Sequence, residues 1–154
     1  MSIAVELPGG PTLTLEYVLL DVNGTLTDRG TLVDGVADRL GRLRSLVEVQ
    51  LASADTFGTL DRHAEALGVS ALRVSDGVEK RELVERLGAD RCAVVGNGAN
   101  DVLALQAAAL GIAVLGREGV SVPALRSADV LCASITDALD LLLDVEVLTA
   151  TLRR

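Results

Sequence analysis

Aromatic residues are almost absent: the 154-residue chain has no Trp, one Tyr and one Phe. A binding groove lined with rings is therefore excluded. With 49% hydrophobic residues the core must come from Leu, Val, Ile and Ala, which suits tightly layered helices and strands. Positive charge is also scarce, with 14 basic against 22 acidic residues and a net charge of −8. This balance repels phosphate backbones and anionic lipid, which argues against nucleic acid or membrane partners held by general electrostatics. Even "LALQAAALGIAVLG" is cut by Gln106 and Gly111, so no stretch reaches membrane-spanning length. The opening "MSIAVELPGG" has neither the positive segment nor the apolar core of a signal peptide, and the expectation is a cytoplasmic protein.

The two cysteines, Cys92 and Cys132, each sit in an apolar, strand-like run without a partner at metal-ligand spacing, which reads as two buried free thiols. The single histidine, His63, lies toward the edge of an amphipathic helix beside Arg62, and a solvated surface role is expected for it. Asp137, Asp140 and Asp144 read as the solvated face of the last helix.

The length fits one domain, residues 1–154. Residues 3–7 and 13–20 flank "PGGP" and predict a hairpin turning at Gly9 and Gly10, whose second arm runs into Asp21. Val36, Leu40, Leu43 and Val47 fall at helical spacing, followed by a strand in "VEVQLAS". Phe57, Leu60, Ala64 and Leu67 mark a helix closed by Gly68. Strands are then expected at 71–74, 92–96, 111–116 and 128–132, with helices around Leu83, Val84 and Leu87 and over "DVLALQAAAL". Ser134 caps a final helix reaching residue 151. Strands that alternate with helices, several apolar throughout, imply an α/β fold: a mostly parallel sheet covered on both faces.

In open α/β sheets the ligand lies at the carboxyl ends of the strands. Asp21 ends one strand, Ser53 ends the next, and "GNGAND" (96–101) follows "CAVV" with Asn97 and Asp101 four residues apart. Taken singly, each has an ordinary reading. Asn23-Gly24 can be a turn, Ser53 an N-cap, and "GNGAND" half a dinucleotide fingerprint, although its sixth residue is Asp101 and not Gly or Ala. Lys80, the one Lys in the chain, is harder to treat as ordinary. It precedes Leu83 and Val84 by three and four residues, on the apolar face of a helix and in its first turn, where the macrodipole disfavours a cation. A cation aimed at the top of the sheet would neutralise an anionic ligand.

In order and spacing, Asp21-x-Asn23-Gly24-Thr25, Ser53 after a strand, Lys80 and Gly96-Asn97-Gly98-Ala99-Asn100-Asp101 resemble the four motifs of the haloacid dehalogenase superfamily of phosphotransferases. The likeness is greatest to soluble relatives of the P-type ATPase phosphorylation domain and covers about residues 13–133. It implies a Rossmann-like α/β/α sandwich and a phosphatase-like hydrolase in which Asp21 attacks phosphorus and becomes a phosphoaspartate. Mg²⁺ would be held by the Asp21 carboxylate, the Asn23 backbone carbonyl and the side chains of Asn97 and Asp101, directly or through water, all hard oxygen ligands. The Ser53 hydroxyl and backbone N–H groups after Asp21 and Ser53, in the stretch Asn23, Gly24, Thr25 and at Ala54, would hold the phosphoryl oxygens, with Lys80 supplying charge.

The chain departs from the family pattern twice. Asn23 stands where phosphatases of this family carry a second Asp that protonates the leaving oxygen and then activates water, work that an amide cannot do. General acid-base catalysis is typically worth about 10²–10⁴ in rate, so slow turnover is expected. Asn97 stands where an Asp usually binds the metal, which removes one charge from the ligand set. The family also inserts caps after the first motif or between the second and third, and here the intervals are too short. Residues 27–35, with bends at Gly30 and Gly35, can form only a small flap. An uncapped site implies either a large substrate or cover from a neighbouring subunit, and the resemblance implies a homo-oligomer acting on a small phosphorylated substrate. The alternative is a non-catalytic phosphate- or metal-binding domain that has lost turnover with the acids at 23 and 97.

Overall fold

The apolar run that ends at Asp21 becomes the central strand of the molecule. The computed structural model describes residues 1–154. Strands β1 (Ile3–Glu6) and β2 (Thr12–Leu15) form the antiparallel N-terminal hairpin. The expected second arm, 13–20, is in fact two strands: it breaks at Glu16, and β3 (Tyr17–Leu20) belongs to another sheet. Glu16 is where the partners change. Its N–H donates to the Arg91 carbonyl at 2.8 Å and its carbonyl accepts from the Glu48 N–H at 2.9 Å, so the chain leaves β1 and enters the main sheet.

That sheet comprises β3, β6 (Glu48–Ser53), β7 (Ser70–Arg73), β8 (Cys92–Gly96), β9 (Leu110–Val114) and β10 (Val130–Cys132). Its order is β10-β9-β8-β3-β6-β7 and every pairing is parallel. A flap, β4 (Thr27–Asp28) and β5 (Thr31–Leu32), turns at Arg29 and Gly30, with φ of 49° and 87°. The helices are α1 (Val36–Leu43), α2 (Leu60–Leu67), α3 (Gly77–Leu87), α4 (Val102–Ala107), α5 (Val122–Ser127), α6 (Ile135–Leu143) and α7 (Val145–Leu152).

Side chains alternate across the sheet, and both faces are apolar. Val18, Leu20, Leu51 and Val95 pack against Val36 and Leu40 of α1 and Leu139 of α6. Leu19, Ala52 and Val94 pack against Leu83 and Val84 of α3 and Leu105 of α4. This two-sided burial is why "YVLL" and "CAVVG" are continuous apolar runs. Each Val or Leu side chain among them contributes about 1.5–3 kcal/mol on burial. The architecture is the Rossmann-like three-layer α/β/α sandwich, and no helix is long and apolar enough to cross a membrane.

Several local expectations are corrected. The final helix is two helices, because Asp144 leaves helical geometry (φ −120°, ψ 87°) and its carboxylate caps α7 by accepting from the Val147 N–H at 3.2 Å. The "DVLALQAAAL" helix ends at Ala107, and Leu110 already starts β9. Phe57 lies outside α2, on an exposed loop. His63 is buried, not solvated: with Leu60, Ala64 and Leu67 it forms the buried stripe of α2, and its Nε2 has no hydrogen-bond partner. Asp137, Asp140 and Asp144 are exposed as expected.

Candidate active site

With β3 at the centre, the chain winds outward to β6 and β7 on one side and to β8, β9 and β10 on the other. Such a reversal opens a crevice at the carboxyl ends of the central strands. Asp21 follows β3 into that crevice, its N–H held by the Val95 carbonyl at 3.0 Å. Ser53 is the last residue of β6, and Asn97 follows β8. Lys80 comes from the start of α3, whose N-cap Asp76 accepts from the Glu79 N–H at 2.9 Å and whose buried stripe is Lys80, Leu83 and Val84.

Lys80 is 1% exposed and bridges two carboxylates. Its Nζ donates to Asp101 Oδ1 at 2.7 Å and to Asp21 Oδ1 at 3.0 Å. The other Asp101 oxygen accepts from the Asn97 and Gly98 N–H groups at 3.1 and 2.9 Å, so this side chain both anchors Lys80 and shapes the loop after β8. The Thr25 hydroxyl lies 3.1 Å from Asp21 Oδ2 and 3.2 Å from Asn97 Oδ1. Its single proton serves one of these oxygens at a time and leaves the other without that donor in a closed corner.

One Lys for two buried carboxylates leaves a net negative charge. Burial, and then the Asp101 charge, push the Asp21 carboxyl up to about 6, against the opposing pull of Lys80 and Thr25. Burial disfavours the Lys80 cation, but the two carboxylates together outweigh it and raise the ammonium above its ordinary value. Asp21 therefore remains largely ionised at neutral pH, and Lys80 fully so.

Two glycines permit the close approaches. Gly24 has φ 77°, and a Cβ there would lie 2.5 Å from Asn97 Nδ2, so only glycine lets the loop after β3 reach the loop after β8. A Cβ at Gly96 would lie 2.5 Å from the Asp101 carboxyl carbon and would block its return toward the strand end.

The family model of haloacid dehalogenase-like hydrolases matches residues 8–109. The chain belongs to this family. A soluble P-type ATPase-like phosphatase of Methanocaldococcus jannaschii is 31% identical over 143 residues, which is 89% of this chain and 52% of the relative. The chain thus spans about half the length of that curated relative. A 3-deoxy-D-manno-octulosonate 8-phosphate phosphatase from Moraxella catarrhalis, solved with magnesium, phosphate and KDO, superposes with a TM-score of 0.65 at 20% identity, covering 90% of this chain and 94% of that one. The cobalt-bound form of the deoxy-D-mannose-octulosonate 8-phosphate phosphatase from Haemophilus influenzae gives a TM-score of 0.66 at 19% identity, covering 88% of this chain and 91% of that one. At these identities the structural likeness carries the haloacid dehalogenase fold alone.

Measured against the family motifs, the structure brings Asp21, Thr25, Lys80, Asn97 and Asp101 into one hydrogen-bonded cluster. Ser53 is buried at the neighbouring strand end, and Asn23 is half-buried beside Asp21. The N–H groups of Asn23 and Ala54 donate to no protein acceptor, which leaves them open to an anion, whereas the Thr25 N–H is committed to the Val22 carbonyl at 3.1 Å. No group of three His, Cys, Asp or Glu side chains is placed to hold a metal ion by itself. A cation in this corner therefore depends on one carboxylate together with amide and carbonyl oxygens, and the pair Asp21 Oδ2 and Asn97 Oδ1 fits a hard ion. Asn97 is oriented for it, because its Nδ2 donates to the Gly119 carbonyl at 3.1 Å and turns the oxygen toward Thr25.

The flap expected over residues 27–35 forms one wall of the site, whereas the residues that face it across the cleft were missed by sequence reasoning. A cleft of about 720 Å³ adjoins the corner through Gly24 and Thr25 and runs between the flap and Gly116-Arg117. Glu118 accepts from the Arg29 N–H at the flap tip at 3.0 Å. The signal for this loop was the Ser121-Val122-Pro123 start of α5, a capping Ser with Pro in the first turn.

Proposed function

We propose that this protein is a Mg²⁺-dependent phosphatase-like hydrolase that transfers a phosphoryl group to Asp21 and then to water. The observation that carries the reading is the buried Asp21–Lys80–Asp101 cluster, an ionised carboxylate held against one ammonium at a strand end. Desolvating two acids and a Lys is costly, and a fold gains little stability from such a group compared with apolar packing. A nucleophile facing an anionic substrate explains why it is there.

Asp21, Asn97 and the Asn23 carbonyl would hold the metal, with Asp101 acting through Lys80 and the loop after β8. When bound, Mg²⁺ neutralises charge on the phosphoryl oxygens and lowers the repulsion between substrate and Asp21. The protein's own groups do the remaining work. Lys80 holds Asp21 Oδ1 and offsets its charge, while the Ser53 hydroxyl and the free N–H groups of Asn23 and Ala54 receive the phosphoryl oxygens. An Asp21 oxygen forms a bond to phosphorus as the bond from phosphorus to the leaving oxygen breaks, and the electron pair departs with that oxygen. Asn23 has no proton to give, so leaving groups that are stable as anions are favoured. Water then attacks phosphorus, releasing orthophosphate and restoring Asp21, and this step is slow because no carboxylate at position 23 takes the water's proton.

The cleft beside the corner is framed by hydroxyls and charges and contains no ring, which fits a small, polar phosphomonoester. Its Mg²⁺ dependence parallels the magnesium and phosphate found in the Moraxella neighbour. The chain acts as one domain and, being uncapped, as a homo-oligomer in the cytoplasm. Hydrolysis of an aryl phosphate by the purified protein, present with Mg²⁺ and lost with chelator, supports this reading. Absence of turnover together with absence of any phosphoryl transfer to the protein returns it to a binding domain.

A further inference from the structure

The loop after Ser53 contains an acid whose contacts no part of the reaction uses. Asp55 holds φ 57°, a backbone conformation that side chains other than Gly rarely adopt, and its own side chain is only 5% exposed. One carboxylate oxygen accepts from the Thr59 and Leu60 N–H groups at 2.7 and 2.9 Å. The other accepts from the Arg73 guanidinium at 2.6 Å. Arg73 is the last residue of the edge strand β7 and the register partner of Ser53. The Asp55 N–H closes the circuit by donating to Ser53 Oγ at 3.0 Å.

We propose that Asp55 is a positioning residue for the phosphoryl-binding loop, acting through Ser53 and Ala54. The inference rests on the phosphoryl-transfer reading above. A hydroxyl that accepts from the Asp55 N–H keeps its proton for an external oxygen, so Ser53 is held as a donor to the phosphoryl group. The left-handed turn at Asp55 reverses the chain immediately after Ala54 and leaves the Ala54 N–H without a protein acceptor. Three bonds to one buried carboxylate hold that turn. Its two ends are tied to α2 and to the edge strand, both outside the catalytic corner. A capping role for α2 accounts for the Thr59 and Leu60 contacts but not for the Arg73 bridge or the bond to Ser53.

The test is calorimetric binding of orthophosphate in the presence of Mg²⁺, alongside Mg²⁺ binding without phosphate and thermal unfolding. Outer-shell partners of a functional group typically change affinity by about 10–100-fold, and Asp55→Ala is expected to weaken phosphate binding by at least about tenfold with Mg²⁺ affinity unchanged. Asp55→Asn, which keeps an oxygen for Thr59 and Leu60, should recover affinity to within about threefold of wild type, at the lower end of that effect. A purely structural cap would lower the unfolding temperature and leave phosphate affinity unchanged, and that result overturns the positioning role. Should Asp55→Ala fail to fold, Arg73→Ala decides: a few-fold weakening supports the role and unchanged affinity overturns it. Wild-type protein that binds no phosphate overturns the phosphoryl-transfer reading and the positioning role together. Loss confined to Asp55→Ala, with wild type intact, is the outcome expected.

Discussion

Lys80 Nζ stands 2.7 Å from Asp101 Oδ1 and 3.0 Å from Asp21 Oδ1, so a single ammonium holds two buried carboxylates. Removing it leaves both acids without their cation. Breaking a buried ion pair typically costs about 3–5 kcal/mol. Lys80→Ala is therefore expected to lose stability on that scale in denaturant titration and to weaken binding of beryllium fluoride, a probe of the phosphoaspartate state. Stability and affinity both equal to wild type would mean that the cluster matters to neither fold nor site.

Asp21→Asn should behave in the opposite way toward stability. The folded state holds the Asp21 proton up to about pH 6, whereas the ordinary carboxyl value is 3.8. The folded state thus takes up this proton first as the pH falls. The metal-free wild type should gain stability relative to the variant between pH 7 and 4, and no further gain is expected below the unfolded value. Two pKa units correspond to on the order of 3 kcal/mol at neutral pH in favour of the variant. Asp55 and Asp140, held below the carboxylate range chiefly by hydrogen bonds from Arg73 and Arg39, shift stability the other way but cancel in the comparison. Paired unfolding curves at pH 7 and 4.5 measure the difference, and turnover should be lost in the variant at both.

Asn23→Asp supplies the missing proton donor. The gain should be largest for alkyl phosphates, whose leaving oxygen is the most basic, and should fall near the low end of about 10²–10⁴, because the surroundings were not arranged to tune an acid. The comparison is kcat/KM for an aryl and an alkyl phosphate in both proteins. Equal gains on both substrates, or none, would remove Asn23 from the vacant acid position.

Asn97→Asp adds a charge to the metal ligands and removes the bond from Nδ2 to the Gly119 carbonyl. Charge count tunes affinity in oxygen-ligand sites, so Mg²⁺ should bind about tenfold or more tightly by calorimetry. The metal-free variant should unfold at a lower temperature, since a third acid joins a corner with one Lys.

The parts of the site carried by local order along the chain were legible: Asp21, Ser53, Lys80 and the loop 96–101 each follow a strand or open a helix. Lys80 stood out because a cation on an apolar stripe conflicts with burial unless something pairs with it. Residues whose role depends on distant contacts were not legible. Asp55 looks like a loop acid until Arg73 arrives from another strand, and Glu118 is a surface acid until the flap tip meets it. His63 falls on the buried stripe because 60, 63, 64 and 67 share one helix face, a spacing that its polar neighbour Arg62 masks in the sequence. The break at Glu16 depends on partners at Arg91 and Glu48, which no local pattern reveals.

The slow second step makes phosphoryl transfer to Asp21 directly visible. Incubation with an acyl or aryl phosphate and Mg²⁺, acid quenching and peptide mass spectrometry should find one phosphoryl group on the peptide containing Asp21, absent from Asp21→Asn and less abundant in Asn23→Asp. Orthophosphate released with no label on the protein, or a label on a peptide without Asp21, would contradict it.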